Sequence, residues 1–308
     1  SDNVVAPVVS VTKEVAQSGQ TNNVWDVNST EENYTRLNSA AATTLSFTNP
    51  SGGIGGGVTY SQSFSVASQE GSPTGLTFNN DGTKMFVVGN TGDDVNEYAL
   101  STAFDVSTAS YTRNFDVSSQ EIDPSGIAFN SDGTKMFICG YDGDDVNEYA
   151  LSTGFNVSTA SYTRNFDVSS QAASVQGMAF NNDGTKMFIV DYSGDDVSEY
   201  ALSTGFDLST ASYTDAFDVS SEDTQPRGIS FNSDGTKMFI VGGGGSDINE
   251  YNLSTGFDVS TASYSQNFSL DSQETQPFGV AFNTDGTKMF VVGAGGYVIY
   301  YSLSTGFD

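Results

Sequence analysis

The chain has 308 residues, 37% hydrophobic and 12% aromatic, enough apolar material for a globular core. Its 38 acidic and 10 basic residues leave a formal net charge of −28, which repels nucleic-acid phosphates and anionic lipid surfaces. With Cys139 alone no internal disulfide can form, and with no histidine there are no histidine triads or general bases and few routes to a zinc enzyme.

Residues 1–50 belong to no repeat. They hold the only tryptophan, Trp25, the charged stretch from Glu31 to Arg36, and an alternating apolar run from Ala41 to Phe47. A segment this short, with no disulfide or histidine-metal staple, has little core of its own. It is expected either to anchor the protein to other subunits of a larger assembly or to pack against the rest of the chain. The opening Ser1-Asp2-Asn3 lacks the basic-then-apolar pattern of a secretory signal. No apolar run approaches the ~18 residues of a spanning helix. Residues 51–59 read as a glycine-rich linker.

From residue 60 the chain becomes periodic. The hexapeptide DGTKMF begins at Asp81, Asp132, Asp183, Asp234 and Asp285, a constant spacing of 51. Each unit carries four strand signals, in the first copy Leu76 to Phe78 (A), Met85 to Val88 (B), Val95 to Leu100 (C) and Tyr111 to Val117 (D). Asp81-Gly82 supplies a tight hairpin turn between A and B. Four short strands in a unit of this length mark a β-propeller blade. An orphan D-type strand at residues 60–67 precedes the first A strand, and the last unit stops after strand C. Pairing the two closes a ring and hides two sheet edges. The predicted fold is therefore all-β, a five-bladed β-propeller over residues 60–308 with a small N-terminal extension.

Repeated residues read first as structure. Phe78, Phe86, Tyr98, Phe104, Tyr111 and Phe115 are expected to fill the space between blades. Lys84, Lys135, Lys186, Lys237 and Lys288 are expected to form a surface ring paired with the turn aspartates Asp81 to Asp285. Cys139 replaces the valine of other copies and reads as a small buried hydrophobe.

The pattern P-x-G-x-x-F-x-x-D-G-T-K-M-F-V from Pro73 to Val87 resembles propellers with PDG hairpins. The formula DDVNEYALSTGFDVSTASYT is similar to tandem repeats of predicted virion-associated proteins from marine bacteriophages and metagenomes. That resemblance covers residues 60–308 and implies a location at a virion surface.

Strand alternation places the D-to-A and B-to-C loops on one face of the disk, where the copies differ, and the near-constant A-to-B and C-to-D loops on the other. On the variable face Tyr141, Tyr192, Arg227, Phe278 and Tyr297 are the candidate ligand contacts, suited to stacking on a glycan. No cofactor is expected. The one ion for which this face offers oxygens is calcium, through Asp93, Asp94, Asp142, Asp144, Asp145, Asp195 and Asp196. Propellers that act as lactonases generally hold calcium in the central channel. The inner strands here, GLTF, GIAF, GMAF, GISF and GVAF, carry no carboxylate, and no acid stands out as breaking the repeat. The expectation is thus a non-enzymatic virion protein (capsid decoration, tail or fibre component) presenting its propeller for host-surface or glycan attachment. A secreted or cell-surface lectin-like propeller is the alternative and a propeller hydrolase the third reading. Neither nucleic-acid binding nor membrane insertion is expected.

Overall fold

A computed structural model describes residues 57–307. The expected anchor, residues 1–50, and residues 51–56 of the linker lie outside them. Five sheets of four antiparallel strands are present. In blade 1, β2 (Pro73–Phe78) is followed outward by β3 (Lys84–Gly89), β4 (Asp94–Leu100) and β5 (Ala109–Asp116). Three further units repeat this order as β6 (Pro124–Phe129) to β9 (Ala160–Asp167), β10 (Val175–Phe180) to β13 (Ala211–Asp218) and β14 (Pro226–Phe231) to β17 (Ala262–Ser269). The fifth joins both ends of the described chain: β18 (Pro277–Phe282), β19 (Lys288–Gly293) and β20 (Tyr297–Leu303) are completed by β1 (Val58–Ser65). The β1–β20 register runs from Val58 opposite Leu303 to Ser65 opposite Tyr297, so the ring closes as predicted, two residues earlier than expected. Each first strand touches the first strands of both neighbouring blades, β2 meeting β6 and β18, which places these five around the axis.

The core sits between blades. One of five clusters joins Phe86, Val88 and Val95 of blade 1 to Ile127, Met136, Ile138 and Tyr149 of blade 2, and the others repeat it around the ring. Phe86 is fully buried, with its ring centroid 4.6 Å from that of Phe129 in the next blade. Tyr111 departs from expectation. It and its equivalents Tyr60, Tyr162, Tyr213 and Tyr264 lie on the outermost strands and are 43–47% exposed, each standing edge-on to a buried tyrosine such as Tyr98.

The lysines also differ from the reading, because strand register carries them away from the turn aspartates. Lys84 Nζ lies 2.9 Å from Oε1 of Glu97 on the adjacent strand, a carboxylate only 2% exposed, and donates to the carbonyl of Phe155 in the next blade. Lys135, Lys186 and Lys237 do the same with Glu148, Glu199 and Glu250. In blade 5 Tyr300 replaces the glutamate, and Lys288 stacks over its ring at 5.4 Å. These are partly buried pairs that stitch blades together. Losing one partner of such a pair costs more than at a surface.

The phenylalanines that receive these lysines hold positive φ, Phe104 at 53° and Phe155 at 55°, a costly conformation for a bulky residue. Their rings lie flat on the turn glycines: a Cβ on Gly82, itself at φ +69°, would collide with the Phe104 ring. A 3-10 turn at Val106–Thr108, capped by the Asp105 carboxylate accepting Ser107 N–H, then leads into β5. That turn has no helical period to announce it.

Candidate functional site

The inner strand of every blade carries a β-bulge at the same place. In blade 1, Pro73 pairs with Gly89 and Gly75 with Val88, leaving Thr74 as the extra residue. The same break isolates Ser125, Gln176, Arg227 and Phe278. A bulge re-aims the side chain it carries, and here it aims five towards one mouth of the central channel. They are five different amino acids at one position of a repeat that otherwise copies itself closely. Behind them Gly75 and its equivalents pack so tightly that a Cβ on Gly75 would lie 2.9 Å from the Ser125 carbonyl. Only about 30 Å³ of space remains at this waist.

The mouth is a cavity of about 350 Å³. Thr74, Ser125, Gln176, Arg227 and Phe278 line it together with Asn90, Asp123, Tyr141, Ser174, Tyr192 and Ser193. Four of the five sequence candidates, Tyr141, Tyr192, Arg227 and Phe278, thus meet in one place. Tyr297 is 45% exposed and lies outside the lining. Thr74 and Ser125 are buried and donate to the carbonyls of Pro124 and Val175 in the following blades, at 2.6 and 3.0 Å, so they brace the rim. Arg227 braces it with one donor, Nη1 to the Pro277 carbonyl at 3.3 Å, while its Cζ sits 4.2 Å over the Phe278 ring. Burial lowers its pKa, yet nearby Tyr192 and Asp223 favour the charged form. Gln176 makes no hydrogen bond among the described residues and is available to a ligand.

Sequence reading missed Thr74, Ser125, Gln176 and Asp123. The signal lay in columns: the register giving Thr74 gives Ser125, Gln176, Arg227 and Phe278, and the register giving Ser72 gives Asp123, Ser174, Gln225 and Gln276. Asp123 is a carboxylate that breaks the repeat at this mouth. The opposite mouth is larger, about 490 Å³, but its asparagines, phenylalanines and small residues recur in register and are already engaged. Asn79, for example, bonds Thr83 Oγ1 and Lys84 N–H. We place the site at the smaller mouth because there the copies differ in charge and size, whereas the opposite lining changes only among small polar and apolar residues.

A family profile described as "Lactonase, 7-bladed beta-propeller" matches residues 25–291. The chain belongs to this lactonase family. Membership overturns the expectation of a non-enzymatic display protein, which had rested on the absence of histidine and of a singular carboxylate; Asp123 removes the second ground. The family description gives seven blades, whereas this ring closes at five. Among solved structures, the chain is similar to a putative 6-phosphogluconolactonase from Bacteroides uniformis (15% identity, TM-score 0.46) and to another from Bacteroides fragilis (15%, 0.47). In both cases 72% of this chain and 64% of the other are covered, so the chain spans under two thirds of their length. It is also similar to the Cps50 (Swd1) propeller domain of Myceliophteria thermophila, at 9% identity and TM-score 0.48, covering 80% of this chain and all of that one. No curated protein matches. These are likenesses of architecture, and no functional residue is carried across from them.

The acidic candidates of this lactonase-family chain divide between two placements. Asp93, Asp144 and Asp195 take left-handed conformations, φ 45–52°, and tie the B-to-C turns to the ends of the outermost strands through their carbonyls, as Asp93 does by accepting Val117 N–H. Their neighbours Asp94 and Asp145 turn inward, and Asp142 is exposed. Burial pushes Asp94 and Asp145 up and, with Asp191 beside it, raises Asp196 to about 6. Among the described residues no three acidic or thiol groups gather as a metal shell. Burial raises the Cys139 thiol to about 12, which leaves it an inert hydrophobe, as expected.

Proposed function

We propose that the protein hydrolyses a lactone, an internal ester of a polyhydroxylated acid, at the channel mouth formed by the inner-strand bulges. The observation that carries this reading is the convergence of Arg227, Asp123, Gln176 and Tyr192 in one polar cavity, each at a position where the blades otherwise differ or stay neutral. Family membership supports this reaction class. Opening a lactone requires water to attack the carbonyl, charge to build on its oxygen, and a proton to leave the water. Arg227, held by Phe278 and the Pro277 carbonyl, supplies the positive charge for the developing oxyanion. Asp123 accepts the proton of the attacking water, which then passes to the ring oxygen as the alcohol departs. Gln176 and Tyr192 orient the hydroxyl groups, and Tyr141 offers an aromatic wall.

Charge decides the substrate further. The guanidinium of Arg227 lies within electrostatic reach of Asp223 and shares the cavity with Asp123 in a molecule of net charge −28, so an uncharged lactone is favoured over a phosphorylated one. The test follows proton release from neutral and phosphorylated sugar lactones above spontaneous hydrolysis. We expect Arg227→Ala and Asp123→Asn each to lower kcat/KM about 100-fold; Asp123→Asn should leave the melting temperature unchanged, whereas Arg227→Ala should lower it, because Arg227 also braces the rim and offsets the Asp223 charge. Rates equal to buffer, or variants as active as the parent, would refute the assignment.

A further inference from the structure

Buried acids where the D-to-A and B-to-C loops meet carry a signal separate from the channel mouth. Glu70 is fully buried: Oε1 accepts the backbone N–H groups of Ser72 and Thr91 at 2.8 and 3.1 Å, and Oε2 has no partner. Asp94, 7% exposed, lies within electrostatic reach, oriented by the side-chain amides of Asn96 and Asn114. Blade 2 repeats the arrangement with Glu121, whose Oε2 is again unpartnered, beside Asp145.

In blade 3 the first acid changes strands. Ala172 stands where Glu70 stands, and Asp191 replaces the glycine across from it, accepting Ser174 and Ser193 N–H at 2.9 and 3.1 Å. Asp191 Oδ2 and Asp196 Oδ2 lie 2.7 and 3.4 Å from the point where Gly194 would bear a Cβ, and Asp196 Oδ1 is unpartnered. A carboxylate pair is thus retained although its residues are exchanged. Lys84, Lys135, Lys186, Arg113 and Arg164 direct their charge elsewhere, at Glu97, Glu148, Glu199 and Asp207.

Blades 4 and 5 act as internal controls. In blade 5 Tyr297 replaces the second acid, and Glu274 satisfies both oxygens on backbone, Oε1 with Gln276 N–H and Oε2 with Gly295 N–H. In blade 4 the pair is Asp223 and Asp247; Asp223 Oδ2 again has no hydrogen-bond partner, but Arg227 supplies the opposing charge. Only blades 1 to 3 leave two adjacent acids with an orphaned oxygen and no cation.

We propose that Glu70–Asp94, Glu121–Asp145 and Asp191–Asp196 each bind one calcium ion. Unpaired buried anionic oxygens demand positive charge. All-oxygen donors select a hard cation, and an irregular loop that leaves positions for water suits calcium better than the strict octahedron of magnesium. Two carboxylates per site, completed by water and loop carbonyls, make these weak sites, with Kd of about 10⁻⁴ to 10⁻³ M.

Calorimetric titration of the EGTA-stripped chain with CaCl2 should give about three ions per chain, and about 5 mM calcium should raise the melting temperature by about 5 °C. Glu121→Gln keeps the oxygen that latches the loop but loses the charge. It should melt no lower than the parent in EGTA and lose about a third of the bound calcium. Glu274→Gln should bind calcium like the parent. The proposal is overturned by no heat and no thermal shift with calcium, by an equal shift with magnesium, which would mean general charge screening, or by an undiminished response in Glu121→Gln. A melting temperature in EGTA that climbs as pH falls, without any calcium response, would assign the orphaned oxygens to a shared proton and overturn it equally.

Discussion

Asp132 shows how much one repeated side chain does. Its carboxylate accepts the Thr134 hydroxyl at 2.5 Å and the Thr134 N–H at 2.9 Å, closing the A-to-B turn, and these bonds hold its pKa below the ordinary 3.8. The native state therefore binds this proton more weakly than the unfolded chain does. Its stabilisation is complete above the unfolded pKa and disappears as pH falls through the lower native value. Asp132→Asn should melt below the parent at about pH 5, and the gap should close towards about pH 3 in thermal scans. Turn chemistry of this kind was legible because Asp-Gly-Thr is a local signal. The bulge residues were not: which side chain is extra in a strand depends on cross-strand register, so Thr74 and Gln176 fell among the D-to-A loop residues ahead of the predicted strands. The exchange of Glu70 for Asp191 was hidden for the same reason, since the two lie on different strands and meet only in space.

At the level of strands, the energetics lie between blades. Phe137 is fully buried, its ring 4.7 Å from Phe180 and 6.3 Å from Phe206 of the following blade. Phe137→Ala should cost about 3–5 kcal/mol in denaturant unfolding, whereas Tyr162→Ala, on an exposed outer strand, should cost far less. Near-equal losses would contradict the placement of the core. Alternation told that Phe137 faces inward but could not tell which tyrosine of the Tyr149–Tyr162 pair would be covered, because an outermost strand has a neighbour on one edge alone. The lysines failed in reading for a related reason. Lys135 follows the turn aspartate by three residues in sequence, yet strand pairing sets it beside Glu148, which stands opposite Phe137 in the ladder.

For the molecule as a whole, repeat phase was decisive. An unmatched fourth-strand motif at one end and an unmatched triplet at the other required closure, and β1 on β20 supplies it. Because every blade borrows core from both neighbours, opening this seam should weaken all five. A chain beginning at Ala67 should unfold at a lower denaturant midpoint and with lost cooperativity, and a single transition matching the parent would refute that dependence. The function was less legible than the fold. Absence of histidine removed familiar chemistries, but a guanidinium and a lone carboxylate are common residues whose meaning came from the cavity they share.

The seam has a genetic corollary. Since the periodic segment is offset by one strand from the wedge it builds, inserting another 51-residue cassette lengthens the ring by a whole wedge and leaves the joint unchanged. Recombination between copies can then alter circumference in integral steps, a simple way for relatives of differing girth to arise from one ancestral module.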